Sequence, residues 1–239
     1  MKILALNSSP RKERSGTGIV LNLFLEGAKE AGADIDLVYL HGREIKPCLG
    51  CFVCWIKTPG ICVQKDEMEE LLKKRLNADA LILATPVYVD GMTSTLKAVL
   101  DRSIPLVKPF FEVRDDHCRH PPRYNQGPDK VVLVSVSGFT ELDNFDPLVM
   151  HVKAFCKNLN GEFAGAVVRP LGAQLPMFRK MGLPVQDIFD AIKQAGKELV
   201  ENGKINSATQ EIISREIVPR SEYVKRINEG FQQALDANK

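Results

Sequence analysis

The length, charge and composition of the chain exclude several kinds of protein. Its 239 residues suit one large α/β domain or two small ones, and a formal net charge of +2 provides no broad basic surface for a nucleic acid. The chain has no charged-then-apolar leader and no apolar run of about 20 residues, the length that a membrane span needs. We therefore expect a cytoplasmic protein with no membrane insertion and no nucleic-acid partner.

The N-terminal part of the chain predicts a β-α-β unit. The apolar run KILALN predicts a buried strand, and helical spacing predicts a helix over residues 17–31, which Gly32 ends. The alternating run DIDLVYL predicts the next strand, parallel to the first and reached by a right-handed crossover. The intervening segment SSPRKERSGTG therefore lies at the carboxyl end of a strand.

The same alternation of strands and helices continues to the end of the chain. The runs ADALILATPVY, KVVLVSVSG and EFAGAVVRP predict strands, and helical spacing occurs over residues 66–76, 94–102, 147–159, 185–202, 208–216 and 223–237. Because the strands are continuously apolar, both sheet faces should be covered by helices, which predicts a doubly wound parallel sheet. We expect a domain over residues 1–175 and a helical extension of it over residues 176–239. Segment 103–129 lacks periodicity and is predicted to be a lid or interface loop.

The segment after the first strand carries the hydrogen-bond donors that a phosphate dianion needs. It offers hydroxyl groups, guanidinium groups and free amides at a helix N-terminus, from Ser9, Arg11, Arg14, Ser15 and Thr17. It lacks the Lys followed by Ser or Thr of a Walker A loop. The alternative interpretation is that Ser15 or Thr17 only caps the helix and that the arginines are solvated.

The segment TPVYVDGMT, which follows another strand, is suited to binding a flat ring. Its proline fixes the turn, Tyr88 is a candidate stacking platform, and Gly91 allows close approach of the backbone. Ligands of open α/β sheets bind outside the carboxyl ends of the strands, where the segment SVSGFTELD is also expected. The alternative is that Tyr88 is an ordinary aromatic residue at the rim.

Four of the six cysteines lie close together, at Cys48, Cys51, Cys54 and Cys62. A reducing compartment disfavours disulfides, so this group favours metal or redox chemistry. The CxxCxxC spacing, with a fourth cysteine beyond a Pro-Gly turn, favours a [4Fe–4S] cluster over zinc, which usually takes two separated pairs of ligands. The alternative is that the thiols are free. The run HCRH at 117–120 is a weak metal motif, and Cys156 is expected in the core.

Three segments taken together resemble a known family. SSPRKERSGT, TPVYVDGMTSTLKAVLDR and the cysteine run, in that register, resemble the NADPH-dependent FMN reductase group of flavodoxin-like proteins, in particular its iron–sulfur flavoprotein branch. The resemblance implies a five-stranded sheet of order 2-1-3-4-5 that binds FMN. It implies phosphate contacts at Ser9, Arg11, Ser15, Gly16 and Thr17, and ring contacts at Pro86, Val87, Tyr88, Gly91, Ser137 and Gly138. Gly16 departs from the family pattern, which commonly has Asn, so a backbone amide must serve there.

The resemblance also implies an FMN-dependent oxidoreductase. NADH or NADPH would deliver hydride to flavin N5, and a quinone, a free flavin or a protein would accept the electrons, so no side chain is required as a catalytic acid or base. One alternative is a non-enzymatic electron-transfer carrier, and another is a phosphate-sensing module without flavin. The resemblance further implies a homodimer or homotetramer, with Phe110, Phe111 and Tyr124 either at the interface or anchoring their own loop.

Overall fold

The fold is seen in a computed structural model that describes residues 1–238. Within these residues the strands are β1 (Lys2–Asn7), β2 (Asp34–Tyr39), β3 (Ala80–Pro86), β4 (Glu112–Arg114), β5 (His117–Arg119), β6 (Lys130–Ser137) and β7 (Glu162–Pro170). The helices are α1 (Gly16–Glu30), α2 (Val53–Ile56), α3 (Met68–Leu76), α4 (Ser94–Asp101), α5 (Asp146–Leu159), α6 (Leu175–Lys180), α7 (Gln186–Asn202), α8 (Ser207–Ser214) and α9 (Arg220–Ala237). Short 3-10 turns lie at Lys12–Arg14, Ile104–Leu106, Leu142–Phe145 and Gly172–Gln174.

The main sheet is parallel and has the order β2-β1-β3-β6-β7. Without the antiparallel β4–β5 hairpin, this is the order 2-1-3-4-5, so the prediction of a doubly wound, flavodoxin-like sheet is confirmed. Ile3 pairs with Ala80 and Asn7 with Ala84, which sets β1 and β3 side by side at the sheet centre. The strand order reverses between them, and ligands of such folds bind at the carboxyl end of that crevice.

Alternate residues of β1 face two separate hydrophobic cores. Ile3 and Ala5 pack in the core covered by α1 and α7, whereas Leu4 and Leu6 pack in the core covered by α3, α4 and α5. This burial on both faces is the reason that the strand is continuously apolar. Helices α1 and α7 approach closely because Gly196 has no side chain, and a Cβ there would overlap the backbone of α1. Helix α7 thus completes the core on the α1 face.

The sequence pattern did not predict the shortest strands and helices. The hairpin β4–β5 lies inside segment 103–129, and its strands have three residues each, none of them buried. Such short, exposed strands produce no alternation of apolar and polar residues, so periodicity cannot reveal them. Helices α2 and α6 have four and six residues and are too short for a helical period to be visible. The longer predicted helices and strands are present, with ends shifted by a few residues.

Helix α9 lies on the outside of the molecule. It runs over 18 residues and buries none of them. Its N-terminal part contacts the sheet edge through Tyr223, whose hydroxyl donates to the Gly138 carbonyl at 3.3 Å. No helix among residues 1–238 is long and apolar enough to cross a bilayer.

Candidate functional site

Three loops meet at the carboxyl edge of the sheet. They follow β1, β3 and β6, whose last residues are Asn7, Pro86 and Ser137. The register pairs Asn7 with Ala84 and Pro86 with Val136, so the three strands end at nearly the same level. The structure therefore places the predicted phosphate segment and the two predicted ring segments at one edge.

Ser15 is the N-cap of α1. Its Oγ accepts a hydrogen bond from the Gly18 amide at 2.8 Å and donates one to the Lys12 carbonyl at 2.6 Å. The hydroxyl is thus used in closing the turn, which is the capping role of the alternative interpretation. The amides of Gly16 and Thr17 are the first in the helix and have no acceptor within it. Their partial positive charge makes the N-terminus of α1 favourable for an anion.

Two buried polar atoms beside this helix terminus have no hydrogen-bond partner within the described residues. They are the Thr17 hydroxyl and the side-chain nitrogen of Asn7, and both residues are 0% exposed. The carboxamide of Asn7 is held by the Ser9 amide, which donates to Oδ1 at 2.9 Å. An unsatisfied buried polar group costs roughly 1–3 kcal/mol, so the pair indicates that a polar ligand completes this site. Asn7 was not predicted, although a polar residue that ends an apolar strand here is a usable signal.

The other predicted phosphate residues differ in accessibility. Ser9 is buried and Arg11 is exposed in the turn before α1. Gly16 is enclosed, because a Cβ on it would lie 2.6 Å from the backbone nitrogen of Ala173 and 2.7 Å from its Cα. Position 16 therefore has no room for a side chain, which explains its departure from the Asn of the family pattern. Ala173, which follows β7, is a neighbour of the phosphate loop that the sequence did not reveal.

The loop after β3 ends in a tight turn. Tyr88 and Gly91 exchange backbone hydrogen bonds of 2.9 and 3.1 Å, and Val89 and Asp90 at the tip have φ angles of 47° and 60°. A left-handed conformation is unfavourable for a β-branched residue such as Val89, and strain of this kind is concentrated at functional sites. Tyr88 is 51% exposed, so its ring is accessible. At the base of the loop, the Thr93 amide donates a hydrogen bond of 3.1 Å to Thr85 Oγ1.

The loop after β6 is held by residues from the C-terminal part of the chain. Ser137 is buried, and its hydroxyl donates to the Phe139 carbonyl at 3.0 Å. The Gly138 carbonyl accepts from Tyr223, whose hydroxyl also accepts a 3.3 Å hydrogen bond from Gln174 Nε2. Gln174 Oε1 is a further buried atom without a partner among the described residues. Gln174 and Tyr223 were not predicted, because no local pattern connects them to a loop so distant in sequence.

The four predicted cysteine ligands line one cavity, which Arg102, Ile104 and Pro105 complete. Cys54 is buried, Cys62 is half-buried, and Cys48 and Cys51 are exposed. Burial raises the pKa of the Cys54 thiol, and the neighbouring thiols raise it further. Among the described residues no three His, Cys, Asp or Glu side chains are grouped to hold a single metal ion. A zinc ion needs its ligands within about 2.3 Å of one point, whereas a cluster gives each thiolate its own iron. The choice of a cluster over zinc for these cysteines stays a prediction.

A buried ion pair closes the base of the cysteine loop. Arg102 Nη1 and Nη2 donate to the two carboxylate oxygens of Asp66 at 2.8 and 2.9 Å, and Nη1 also donates to the Lys46 carbonyl at 2.7 Å. The Arg102 and Asp66 side chains are 1% and 0% exposed. Burial alone would raise the pKa of Asp66, but hydrogen bonds from Arg102 and from backbone amides lower it below its usual value. The ends of the loop, at Lys46 and Asp66, are thus held together.

Segment 103–129 packs against the cysteine loop. Trp55 Nε1 donates to the Ile104 carbonyl at 3.0 Å, and the Trp55 ring lies 4.7 Å from that of His120. The motif at 117–120 is therefore partly used in an aromatic contact, and its His120 ring also lies 5.1 Å from Phe111. Phe110 and Phe111 are mostly exposed. The lid or interface role of the segment stays a prediction.

Proteins of known structure with a similar fold include flavin enzymes. An FMN-dependent NADH-azoreductase from Bacillus anthracis, solved with FMN, superposes with a TM-score of 0.61 at 18% identity, covering 84% of this chain and 99% of that one. An NAD(P)H:quinone oxidoreductase from Methanothermobacter marburgensis superposes with a TM-score of 0.57 at 20% identity, covering 83% and 96%. At such identities the similarity establishes the fold alone.

Sequence relatives are iron-sulfur flavoproteins. One from Methanocaldococcus jannaschii is 38% identical over 106 residues, which are 44% of this chain and 53% of the relative. One from Methanosarcina thermophila is 36% identical over 115 residues, which are 48% and 59%. The aligned part thus spans little more than half the length of these curated relatives. Residues 1–137, more than half of the chain, match the model of the NADPH-dependent FMN reductase family, and the chain therefore belongs to that family.

Proposed function

We propose that the protein is an FMN-dependent NAD(P)H oxidoreductase that passes electrons to a quinone, a flavin or a protein acceptor. The observation that carries the proposal is the pair of unpartnered buried polar atoms, Asn7 Nδ2 and Thr17 Oγ1, beside the N-terminus of α1. In a chain of this family, a site at this edge with free donors and no buried acid fits the phosphate end of FMN.

The residues that would hold the FMN phosphate are those of the first loop. The free donors are the amides of Gly16 and Thr17, the Thr17 hydroxyl and the side-chain nitrogen of Asn7. Arg11, which is exposed, supplies a positive charge. Ser15 supports them by fixing the turn through its cap. Backbone amides would therefore provide most of the hydrogen bonds to the phosphate, which suits a chain with little net charge.

The ring would be bound by the loops after β3 and β6. The loop after β3 would contribute Pro86, Val87, Tyr88 and Gly91 to this ring site. The loop after β6 would contribute Ser137 and Gly138. Backbone hydrogen bonds between Tyr88 and Gly91 close the first of these loops, and the Tyr223 hydroxyl donates to Gly138 in the second. When bound, FMN supplies the hydride and electron chemistry, so these residues orient the ring and set its environment.

The cysteine loop would hold an iron–sulfur cluster as a second redox centre. This proposal is supported by the cavity that Cys48, Cys51, Cys54 and Cys62 line together and by the similarity to proteins named iron-sulfur flavoproteins. This cavity also favours a second candidate function, an electron-transfer carrier that has protein partners and does not oxidise NAD(P)H. The two functions differ in one measurable property, the steady-state oxidation of a reduced nicotinamide.

Anaerobic purification, with flavin, iron and sulfide measured on one sample, tests both cofactors. We expect stoichiometric FMN, bleaching of the flavin absorption by NADPH or NADH, and turnover with a quinone. Flavin and iron without NAD(P)H oxidation would favour the carrier. Colourless protein that binds no added FMN would refute both functions.

We also propose a homodimer or homotetramer. The exposed Phe110 and Phe111 side chains of segment 103–129 support this proposal, since neighbouring apolar side chains of this size are usually covered. Light scattering after gel filtration measures the mass directly, and a monomer in which both side chains stay exposed would contradict it.

A further inference from the structure

Arg102 connects the cysteine loop to the sheet domain. It caps the C-terminus of α4, and its two terminal nitrogens donate three hydrogen bonds, two to Asp66 and one to the Lys46 carbonyl. The Asp66 carboxylate in turn accepts hydrogen bonds from the backbone amides of Lys46 and Met68, at 3.0 and 3.2 Å. These hydrogen bonds hold the two ends of the cysteine loop, at Lys46 and Asp66, against the end of α4.

The third nitrogen of this guanidinium, Nε, takes no part in these hydrogen bonds. Arg102 Nε is buried and has no hydrogen-bond partner within the described residues. The side chain lines the cavity that the four cysteine thiols also line, and Cys62 is the cysteine with which it interacts electrostatically. Burial alone would lower the pKa of Arg102, but interactions with Asp66 and with Cys62 raise it above its usual value. A buried N–H beside a group of thiols is a donor suited to negatively charged sulfur.

We propose that Arg102 donates its Nε–H to a sulfur atom of the iron–sulfur site and thereby raises the reduction potential of the cluster. The proposal rests on the cluster half of the proposed function and adds a residue outside the cysteine motif. Hydrogen bonds to the sulfurs and the net charge nearby are among the factors that set cluster potentials. Because reduction adds a negative charge, a donor or a cation beside the sulfurs stabilises the reduced state more than the oxidised state.

Two substitutions should move the potential in opposite directions. R102K keeps a cation that can pair with Asp66 but removes the Nε–H, so the potential should fall. D66N keeps the guanidinium but removes the compensating carboxylate, so the potential should rise. For R102K we expect a change of about tenfold in the ratio of oxidised to reduced cluster at a fixed potential, which is about 59 mV for one electron.

The experiment is a redox titration of the intact protein, followed by the electron paramagnetic resonance signal of the reduced cluster. R169K is the matched control, since Arg169 is also 1% exposed but donates only to the carbonyls of Pro170, Ile213 and Arg215. Its cluster potential should equal that of the unmodified protein. Circular dichroism and FMN content on the same samples verify that each variant is folded.

The possible outcomes separate this proposal from the proposed function. Unmodified protein without iron would refute the cluster itself, whatever the variants do. With a cluster present, equal potentials in R102K and R169K would overturn the proposal, and so would shifts of the same sign in R102K and D66N. A folded R102K protein that loads no cluster would show that Arg102 acts only by closing the loop, which would also overturn it. If D66N fails to fold, the comparison of R102K with R169K decides.

Discussion

Replacement of Thr17 by valine should weaken FMN binding without destabilising the FMN-free protein. The Thr17 hydroxyl is buried and has no partner in the described part of the chain, so valine removes an unsatisfied polar group at nearly constant volume. A hydrogen bond to a charged group contributes roughly 1.5–3 kcal/mol. Since each 1.4 kcal/mol is about a factor of ten, T17V should raise the Kd for FMN roughly 10- to 150-fold. The thermal midpoint of the FMN-free protein should stay the same or rise.

Thr209 provides the matched control. It is also buried, but its hydroxyl donates to Glu198 Oε1 at 2.7 Å. T209V therefore removes a partner from a buried carboxylate, which costs roughly 1–3 kcal/mol and lowers the midpoint by about 2–4 °C for each kcal/mol. Its Kd for FMN should not change, because Glu198 and Thr209 lie on α7 and α8, away from the loop before α1.

The assay is quenching of flavin fluorescence on titration of apoprotein, combined with calorimetry of the same apoprotein. Free FMN fluoresces and should lose fluorescence as it binds, which yields Kd for the three proteins under one set of conditions. A T17V protein that binds FMN as tightly as the unmodified protein would refute the assignment of the Thr17 hydroxyl to the phosphate. A large fall in the midpoint of apo T17V would show that the hydroxyl has a structural partner.

Three further changes test other parts of the structure. G16N introduces the side chain common in the family, but its Cβ would lie 2.6 Å from the Ala173 backbone, so calorimetry should show a lower midpoint and titration a weaker binding of FMN. C54S should lose iron and sulfide in elemental analysis while retaining FMN, because the cysteine cavity is separate from the loops at the sheet edge; loss of both cofactors would contradict this. The lowered pKa of Asp66 means that its pairing with Arg102 stabilises the fold above the usual carboxyl pKa and is lost as the pH falls through the lowered value. Urea titrations at about pH 6 and about pH 3 should therefore show a larger loss of stability for the unmodified protein than for D66N.

The sheet could be predicted because its signal is local and strong. The strands that contain Leu4, Leu83 and Leu133 are apolar on both faces, and each is followed by a helical pattern, which suffices for a doubly wound sheet. Ser15 and Thr17 could be placed at a helix N-terminus because small hydroxylic residues precede a helical run. These predictions required only neighbouring residues in sequence.

The completion of the site could not be predicted, because it depends on contacts between distant residues. Ala173 closes over Gly16, and Tyr223 reaches Gly138 across 85 positions of sequence. Arg102 was visible only as the end of a helix, and nothing in its neighbourhood shows that it pairs with Asp66, 36 positions earlier. Pairings of this kind follow from the order of the strands and the crossing of helices, which are set by packing of the whole chain.

Helix α4 connects the two candidate redox sites. It begins after Thr93, which caps it and whose backbone amide donates to Thr85 at the base of the loop after β3, and it ends just before Arg102, which lines the cysteine cavity. At 1.5 Å per residue its eight residues span about 12 Å. One short helix therefore separates the two sites, with a backbone contact to the loop after β3 at its beginning and a side chain that lines the cysteine cavity at its end. The distance between a flavin and a cluster in these positions would depend on the length of α4, which makes this helix the feature that relates the two centres.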